Sequence, residues 1–159
     1  MGSLQWLANN TRPDITFSCN QLSKFNSAPT REHLRAAHQV LQYLRHNQRG
    51  LHYSKPAAPA LTVTGYADSD WGSDTDDRKP YLGWCVLLDG NLVLWKTKKA
   101  TCVALSTCQA EYMALAHCVQ DVIYLRQLLG ELDVGGTTAP SVVYCDNRSA
   151  KQGVETGSF

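Results

Sequence analysis

Residues 61–71 read Leu-Thr-Val-Thr-Gly-Tyr-Ala-Asp-Ser-Asp-Trp, and this stretch decides the fold. Apolar and polar side chains alternate from Leu61 to Ala67, as they do in a β-strand with one buried face. Asp68 follows at the end of this predicted strand. An ionised carboxylate beside apolar segments is costly unless a cation compensates it, so the pattern predicts a functional acid at Asp68.

The segments that follow predict two more strands. Residues 81–88 and 92–95 are apolar enough for strands, and Asp89-Gly90-Asn91 between them is typical of a hairpin turn. Farther along, residues 142–145 form a short apolar run, which predicts a buried strand parallel to the first. Asp146 lies at the carboxyl end of that run.

A long helix is predicted between the hairpin and the last strand, from a capping box that starts at Ser106 to a stop at Gly130. Its apolar stripe comprises Leu115, Cys118, Val122, Leu125 and Leu129. Glu111 lies one turn before that stripe, on the same inward face. A first-turn Glu can simply stabilise the helix dipole, but its inward position favours a functional role.

These positions predict that Asp68, Glu111 and Asp146 converge. Two of the acids end adjacent parallel strands, and the helix N-terminus brings Glu111 over them. Three carboxylates at one point repel one another strongly without metal. Two Mg²⁺ ions about 4 Å apart would satisfy them and support in-line phosphodiester hydrolysis.

Charge is distributed unevenly along the 159 residues, whose net charge is +1. Residues 1–59 carry seven Lys/Arg and two Asp/Glu, whereas residues 60–159 carry eight and twelve. The sign changes at residues 56–59, a Pro-rich stretch that predicts a linker between a region 1–59 and a domain 60–159. A basic flank beside an acidic body suits a nucleic-acid enzyme, although basic solvated helix faces would give the same totals.

The region 1–59 is predicted to be helical. One helix begins near Pro13, with Ile15, Cys19, Leu22 and Phe25 at helical spacing. Another begins at Pro29-Thr30 and ends at Gly50, with an apolar stripe of Leu34, Ala37, Leu41 and Leu44. Two such helices are too small to form an independent domain, so they are expected to pack on each other and on something else.

Membrane and disulfide classes are disfavoured. The apolar runs are too short to span a bilayer, and no secretory signal opens the chain. The six cysteines show no CxxC pair, which favours buried free thiols in a reducing, intracellular compartment (cytoplasm or nucleus).

Ordered blocks along nearly the whole chain resemble the ribonuclease H region of copia-type LTR retrotransposon polyproteins, preceded by the reverse-transcriptase end and tether. The blocks of the ribonuclease H region are Gly65–Trp71, Asp76–Lys79, Leu94–Lys99, Val103–Ser106, Ala110–Tyr112 and Tyr144–Asn147. The upstream blocks are Gly2–Leu4, Thr11–Ile15, Leu22–Phe25 and Leu41–Leu44.

This resemblance implies a ribonuclease H-like mixed α/β sheet and Mg²⁺- or Mn²⁺-dependent cleavage of the RNA strand of RNA–DNA hybrids. Asp68, Glu111 and Asp146 would be the catalytic metal ligands. Asp70 is either an auxiliary ligand or an exposed turn carboxylate. The expected nucleic-acid contacts are Lys96, Lys98, Lys99, Arg78 and Lys79, although the three strand-end lysines would be equally ordinary as solvated side chains. Trp71, Trp84 and Trp95 are interpreted as packing residues.

The chain departs from the family pattern in ways that leave a second function open. Pro80-Tyr81-Leu82 replaces hydroxyl residues before Gly83, and Lys151-Gln152-Gly153 follows Ala150 where an apolar helix residue is expected. The sequence ends at Phe159, before the family's fourth acid and final helix. Without that final helix, one apolar face of the sheet would be uncovered. This face is therefore expected to be covered by the N-terminal helices or by a homodimer partner.

The alternative to a nuclease is a catalytically weak, domesticated retroelement fragment that binds protein or nucleic acid. A transposase or integrase on the same architecture is disfavoured, because the middle acid is a helix-borne Glu and the last acid ends a strand.

Overall fold

A computed structural model describes residues 1–55, 61–72, 77–133 and 139–156. Contacts divide the chain into two compact units, Met1–His52 and Tyr53–Phe159. The predicted linker at residues 56–59 lies outside the described residues. The predicted boundary after residue 59 stays a prediction.

Helices form the first unit. Helix α1 spans Gly2–Asn10, a 3-10 turn spans Pro13–Ile15, α2 spans Thr16–Ser23 and α3 spans Arg31–His46. The sequence analysis missed α1, whose Leu4 and Ala8 are buried with Ile15 and Cys19. The single helix predicted to start near Pro13 is instead a 3-10 turn followed by α2.

Helix α3 begins where the sequence predicted and ends earlier. The Thr30 hydroxyl accepts the His33 N–H, and the His33 ring accepts the Thr30 N–H, so the two residues form a capping box. The last residue of the helix is His46, four residues before the predicted stop at Gly50. Leu34 and Leu41 of its apolar stripe are 57% and 50% exposed, so their expected packing is wrong, whereas Leu44 of the same stripe is partly buried against the core of the first unit.

A hydrogen bond to an ion pair joins α3 to the rest of the first unit. Arg12 is buried, and its guanidinium donates two hydrogen bonds to the Asp14 carboxylate, at 2.9 and 2.7 Å. The Tyr43 hydroxyl of α3 donates to the same carboxylate at 2.9 Å. This arrangement lowers the pKa of Asp14, chiefly through the hydrogen bonds from Arg12.

A four-stranded mixed sheet forms the centre of the second unit. Its strands are β1 Val63–Asp70, β2 Tyr81–Leu88, β3 Asn91–Lys99 and β4 Val142–Tyr144, in the order β3-β2-β1-β4. The first three pair antiparallel, and β4 pairs parallel to β1. The predicted α+β fold class is thereby confirmed, and the topology is compatible with a ribonuclease H-like fold.

Strands β1 and β3 are longer at their C-terminal ends than the sequence predicted. Strand β1 continues through Asp70, so Asp68 lies inside the strand and not at its end. Strand β3 extends to Lys99, four residues past the predicted end. These extensions keep the backbone paired, since Asp70 faces Tyr81 and Tyr81 faces Lys99 across the sheet.

Helix α4 covers one face of the sheet. It spans Thr107–Glu131, and the Ser106 hydroxyl caps it by accepting the Gln109 N–H at 3.1 Å. The Gln109 side chain accepts the N–H of Leu105 and not that of Ser106, so the predicted capping box is only half formed. Cys118, Val122, Leu125 and Leu129 of the predicted stripe are buried against the strands, and Leu115 is partly buried there.

Helix α5, Arg148–Thr156, follows β4 and packs on α4. It forms although Lys151-Gln152-Gly153 weakens it by propensity. Ala150 is fully buried, which supplies the tertiary contact that propensity alone lacks.

Several side chains on the opposite face of the sheet are exposed. Tyr66 and Tyr144 stack with ring centroids 5.0 Å apart and are 45% and 52% exposed. Val142 is 50% exposed, so the prediction that β4 is buried is wrong: it pairs with β1 and presents alternate side chains to solvent. Coverage of this face by a homodimer partner or by the N-terminal helices stays a prediction.

Candidate metal centre

Three elements bring the predicted acids together. Asp68 projects from β1, Glu111 from the first turns of α4, and Asp146 from the residues just after β4. Tyr66 and Tyr144 face each other in the parallel register. Asp68 and Asp146 each lie two residues beyond this matched pair along the chain.

Glu111 lies at the centre of this arrangement and is only 6% exposed. Its Oε1 accepts the Ser69 backbone N–H at 3.2 Å. The same N–H donates to Asp68 Oδ1 at 2.9 Å. Two carboxylates that share one hydrogen-bond donor lie near each other, although they are 43 residues apart in the chain.

The electrostatics of the pocket oppose an ionised Glu111. Burial raises the pKa of this carboxyl, and the charges of Asp68 and Asp146 raise it further. Hydrogen bonding from Ser69 acts in the opposite direction. A cation would oppose this rise in pKa, because it favours the charged form of each acid around it.

Cys145 is part of the same cluster. One donor atom each from Glu111, Cys145 and Asp146 lies within 4.8 Å of the other two, and the Cys145 thiol donates to Glu111 Oε2 at 3.6 Å. Asp68 is outside this tight group, although its carboxylate meets Glu111 through Ser69. The sequence analysis missed Cys145 as a site residue. Its only local signal was its place between the end of a strand and Asp146.

The residues present fit a divalent cation. Carboxylate oxygens from three elements form the donor set that hard cations prefer. The Ser69 hydroxyl oxygen is buried beside the Glu111 carboxylate, and its hydrogen bonding lowers the pKa of that carboxyl. Ser69 alternates with Ala67 and Gly65 on the α4 side of β1, which is also the side of Glu111.

Asp70 lies at the end of β1, exposed and on the same side of the strand as Asp68. Its role as an auxiliary ligand stays a prediction. Asp76, part of one quoted block, lies outside the described residues.

The predicted nucleic-acid contacts occupy different environments. Lys99 and Lys79 both pair with Asp77, at 2.8 and 3.8 Å. Lys96 pairs with Asp121 of α4 at 3.2 Å and lies over the Trp84 ring. Lys98 and Arg78 are exposed. The five basic residues therefore form no single uniform patch, and their function stays a prediction.

The tryptophans of this unit make packing or hydrogen-bond contacts. The Trp84 ring is buried, donates to Asp121 at 2.7 Å and stacks on His117. The Trp71 ring is half exposed and donates to the Ala104 carbonyl at 2.9 Å. All six cysteines are free, although Cys102 is exposed and so differs from the expected buried thiols. Within the described residues, no helix has the length and apolar character needed to span a bilayer.

Similar proteins include retroelement polyproteins and a secreted effector. The Retrovirus-related Pol polyprotein from transposon RE1 of Arabidopsis thaliana is 38% identical over 151 residues, which cover 94% of this chain and 10% of that protein. That from transposon TNT 1-94 of Nicotiana tabacum is 37% identical, over 94% of this chain and 11% of the polyprotein. The Secreted RxLR effector protein 161 of Plasmopara viticola is 36% identical, over 79% of this chain and 87% of the effector. No family model and no solved structure matches.

The fold, the acids and these similarities together define the class. The chain belongs to the family of retrovirus-related Pol polyproteins of copia-type LTR retrotransposons. It is derived from a retroelement, and it spans about a tenth of the length of the Pol polyproteins it matches.

Proposed function

We propose that this protein is a metal-dependent endonuclease of the ribonuclease H type, which cleaves the RNA strand of RNA–DNA hybrids. The observation that carries the proposal is Glu111, a carboxylate 94% buried on the core face of α4 and linked through Ser69 to Asp68. A purely structural helix would place an apolar residue there, because burying an uncompensated carboxylate is costly.

Asp68, Glu111 and Asp146 are the residues that would hold Mg²⁺ or Mn²⁺. When bound, the metal supplies a water nucleophile near neutral pH and neutralises charge that develops on the leaving oxygen. The chain itself would hold the acids in place. The Ser69 N–H donates to both Asp68 and Glu111, and α4, which carries Glu111, packs against the sheet. Such preorganisation reduces the reorganisation needed in the reaction.

Basic residues at the end of the hairpin opposite its turn would hold the substrate. Lys98 and Arg78 are exposed and would contact backbone phosphates without sequence preference. Lys79 and Lys99 would have to exchange their pairing with Asp77 for pairing with phosphate. Binding of hybrid is therefore expected to weaken steeply with salt.

The test is cleavage of a labelled RNA–DNA hybrid by the full chain with Mg²⁺, with Mn²⁺ and with a chelator. Asp68→Asn and Glu111→Gln are expected to abolish metal-dependent cleavage. Glu131→Gln is the matched control: it is the same substitution, exposed and at the opposite end of the same helix, about 30 Å away. Cleavage that survives either acid substitution, or that needs no metal, would refute the assignment.

A second function is favoured by one comparison. The effector of Plasmopara viticola is similar to this chain over 87% of its own length, and its name describes a secreted effector rather than a polyprotein. A domesticated, catalytically weak module that binds nucleic acid or protein would fit this similarity. Salt-sensitive binding of hybrid by the folded wild-type chain, without cleavage under any metal condition, would support this second function over the first.

A further inference from the structure

The sulfur of Cys145 is a donor that magnesium chemistry does not require. It follows β4 directly, is half buried, and lies 3.6 Å from Glu111 Oε2. One carboxylate oxygen of Asp146 completes a group whose three donor atoms are all within 4.8 Å of one another. Mg²⁺ prefers oxygen ligands, so the thiol adds a ligand of a different chemical class to the centre.

The observed separation matches the geometry of a softer ion. A zinc ion that binds a thiolate at about 2.3 Å and a carboxylate oxygen at about 2.1 Å in tetrahedral geometry holds these atoms about 3.6 Å apart. Cys145 Sγ and Glu111 Oε2 are already at that distance. Asp146 offers a third donor atom, which lies within 4.8 Å of both.

The surroundings of the cluster suit an ion as well. Glu111 is nearly fully buried, and the buried hydroxyl oxygen of Ser69 lies beside its carboxylate. Water on the open position of a three-ligand metal site commonly bonds to a nearby polar group. The Ser69 hydroxyl would be such a group.

We propose that Cys145 determines which ions the centre accepts, and that Cys145, Glu111 and Asp146 form a binding site for a thiophilic divalent cation such as Zn²⁺. This inference rests on the proposed function in one respect: a Zn²⁺ ion on Glu111 and Asp146 occupies the ligands assigned there to Mg²⁺ and so stops hydrolysis. The thiol releases its proton to solvent when the metal–sulfur bond forms. Thiolate ligands select such ions over hard ones.

The first test is spectroscopic and needs no activity. Cd²⁺ is titrated into the reduced full chain, and the thiolate-to-cadmium charge-transfer band is followed in the ultraviolet. Saturable binding at one equivalent is expected, with the band lost in Cys145→Ser and affinity reduced about tenfold or more in Asp146→Asn. Cys102→Ser, which removes an exposed thiol, is the control and is expected to keep the band.

The second test is inhibition. The Zn²⁺ concentration that halves cleavage in excess Mg²⁺ is measured for each variant against its own uninhibited rate. It is expected to rise about tenfold or more in Cys145→Ser and to stay unchanged in Cys102→Ser. Circular dichroism establishes whether each variant is folded. If Cys145→Ser is not folded, Asp146→Asn is used in its place to test metal binding.

The two proposals fail separately. A cadmium band that depends on Cys145 in a chain without cleavage activity supports the soft-metal site and removes the nuclease. Mg²⁺-dependent cleavage in a chain with no such band, or with a band that neither Cys145→Ser nor Asp146→Asn changes, overturns the soft-metal site and leaves the nuclease.

Discussion

The substitution Gly65→Ala adds a single methyl group between β1 and α4. It therefore tests the packing of α4 on the sheet, which positions Glu111. Gly65 lies in β1 beneath α4, and its register partner in β4 is Val143. A Cβ at Gly65 would lie 2.6 Å from Cys118 Sγ, 3.2 Å from Val143 Cγ2 and 3.3 Å from Val122 Cγ2. Gly65→Ala therefore forces α4 and the sheet apart or distorts their side chains.

The expected cost follows from the fixed surroundings. Cys118 is fully buried and Val122 nearly so, which leaves neither side chain free to move into open space. Overpacking of this kind destabilises a core by about 1–3 kcal/mol. For a unit of this size, each kcal/mol lowers Tm by about 4 °C, so a fall of roughly 4–12 °C is expected.

Thermal and urea unfolding, followed by tryptophan fluorescence and far-ultraviolet circular dichroism, measure this cost. Gly83→Ala in the neighbouring strand is the matched control, because a Cβ there meets only the Asp68 carbonyl oxygen, at 3.9 Å. It is expected to leave stability unchanged or to raise it slightly through the smaller entropy of the unfolded chain.

A double-mutant cycle locates the cause. Cys118→Ala removes the closest atom, so the double variant Gly65→Ala/Cys118→Ala is expected to be more stable than the sum of the two single effects, by about 1 kcal/mol or more. A Gly65→Ala protein as stable as wild type, or a cycle with no coupling, would refute the close packing of α4 on β1.

Two further predictions concern charged groups. Burial raises the pKa of Glu111 above its ordinary 4.5, so the folded state holds this proton more tightly than the unfolded state. The metal-free protein is expected to lose stability as pH rises through and above that value, and Glu111→Gln is expected to abolish this loss in urea unfolding with chelator; an unchanged slope would contradict the burial of a titrating carboxyl. In the first unit, the pKa of Asp14 is held below its ordinary 3.8 by Arg12, so its stabilisation is present above that pH and disappears as pH falls through the lowered pKa. Asp14→Asn is expected to lower the free energy of unfolding by about 2 kcal/mol, because it leaves the buried guanidinium of Arg12 without its carboxylate. The control Asp133→Asn, at an exposed position, is expected to leave stability unchanged. Equal stability of the two variants in urea would count against the ion pair.

The sequence by itself determined the local elements of the second unit. Alternation placed β1, an apolar run placed β2, Asp89-Gly90-Asn91 marked the hairpin, and Ser106 marked the start of α4. These signals are local, because each depends on side-chain periodicity or on a turn conformation within a few residues. The three acids also stood out locally, since each interrupts or ends an apolar stretch.

Errors arose where local signals are weak. Helix α1 has no side-chain cap and only a modest apolar face, so nothing in residues 2–10 marks it until Leu4 and Ala8 pack on Ile15 and Cys19. The apolar run of β4 was interpreted as buried, yet Val142 and Tyr144 are exposed. An edge strand and a central strand can have the same composition, because exposure depends on what packs against each face.

Only the tertiary structure decided the chemistry of the pocket. Parallel pairing of β4 with β1 places Asp68 and Asp146 each two residues beyond the matched pair Tyr66 and Tyr144, and the packing of α4 lets one N–H of Ser69 reach Glu111 and Asp68 together. The same packing places the Cys145 thiol against Glu111, a contact between residues 34 positions apart. Local periodicity carries no information about such distances, since they are set by how the helix and the strands fit together.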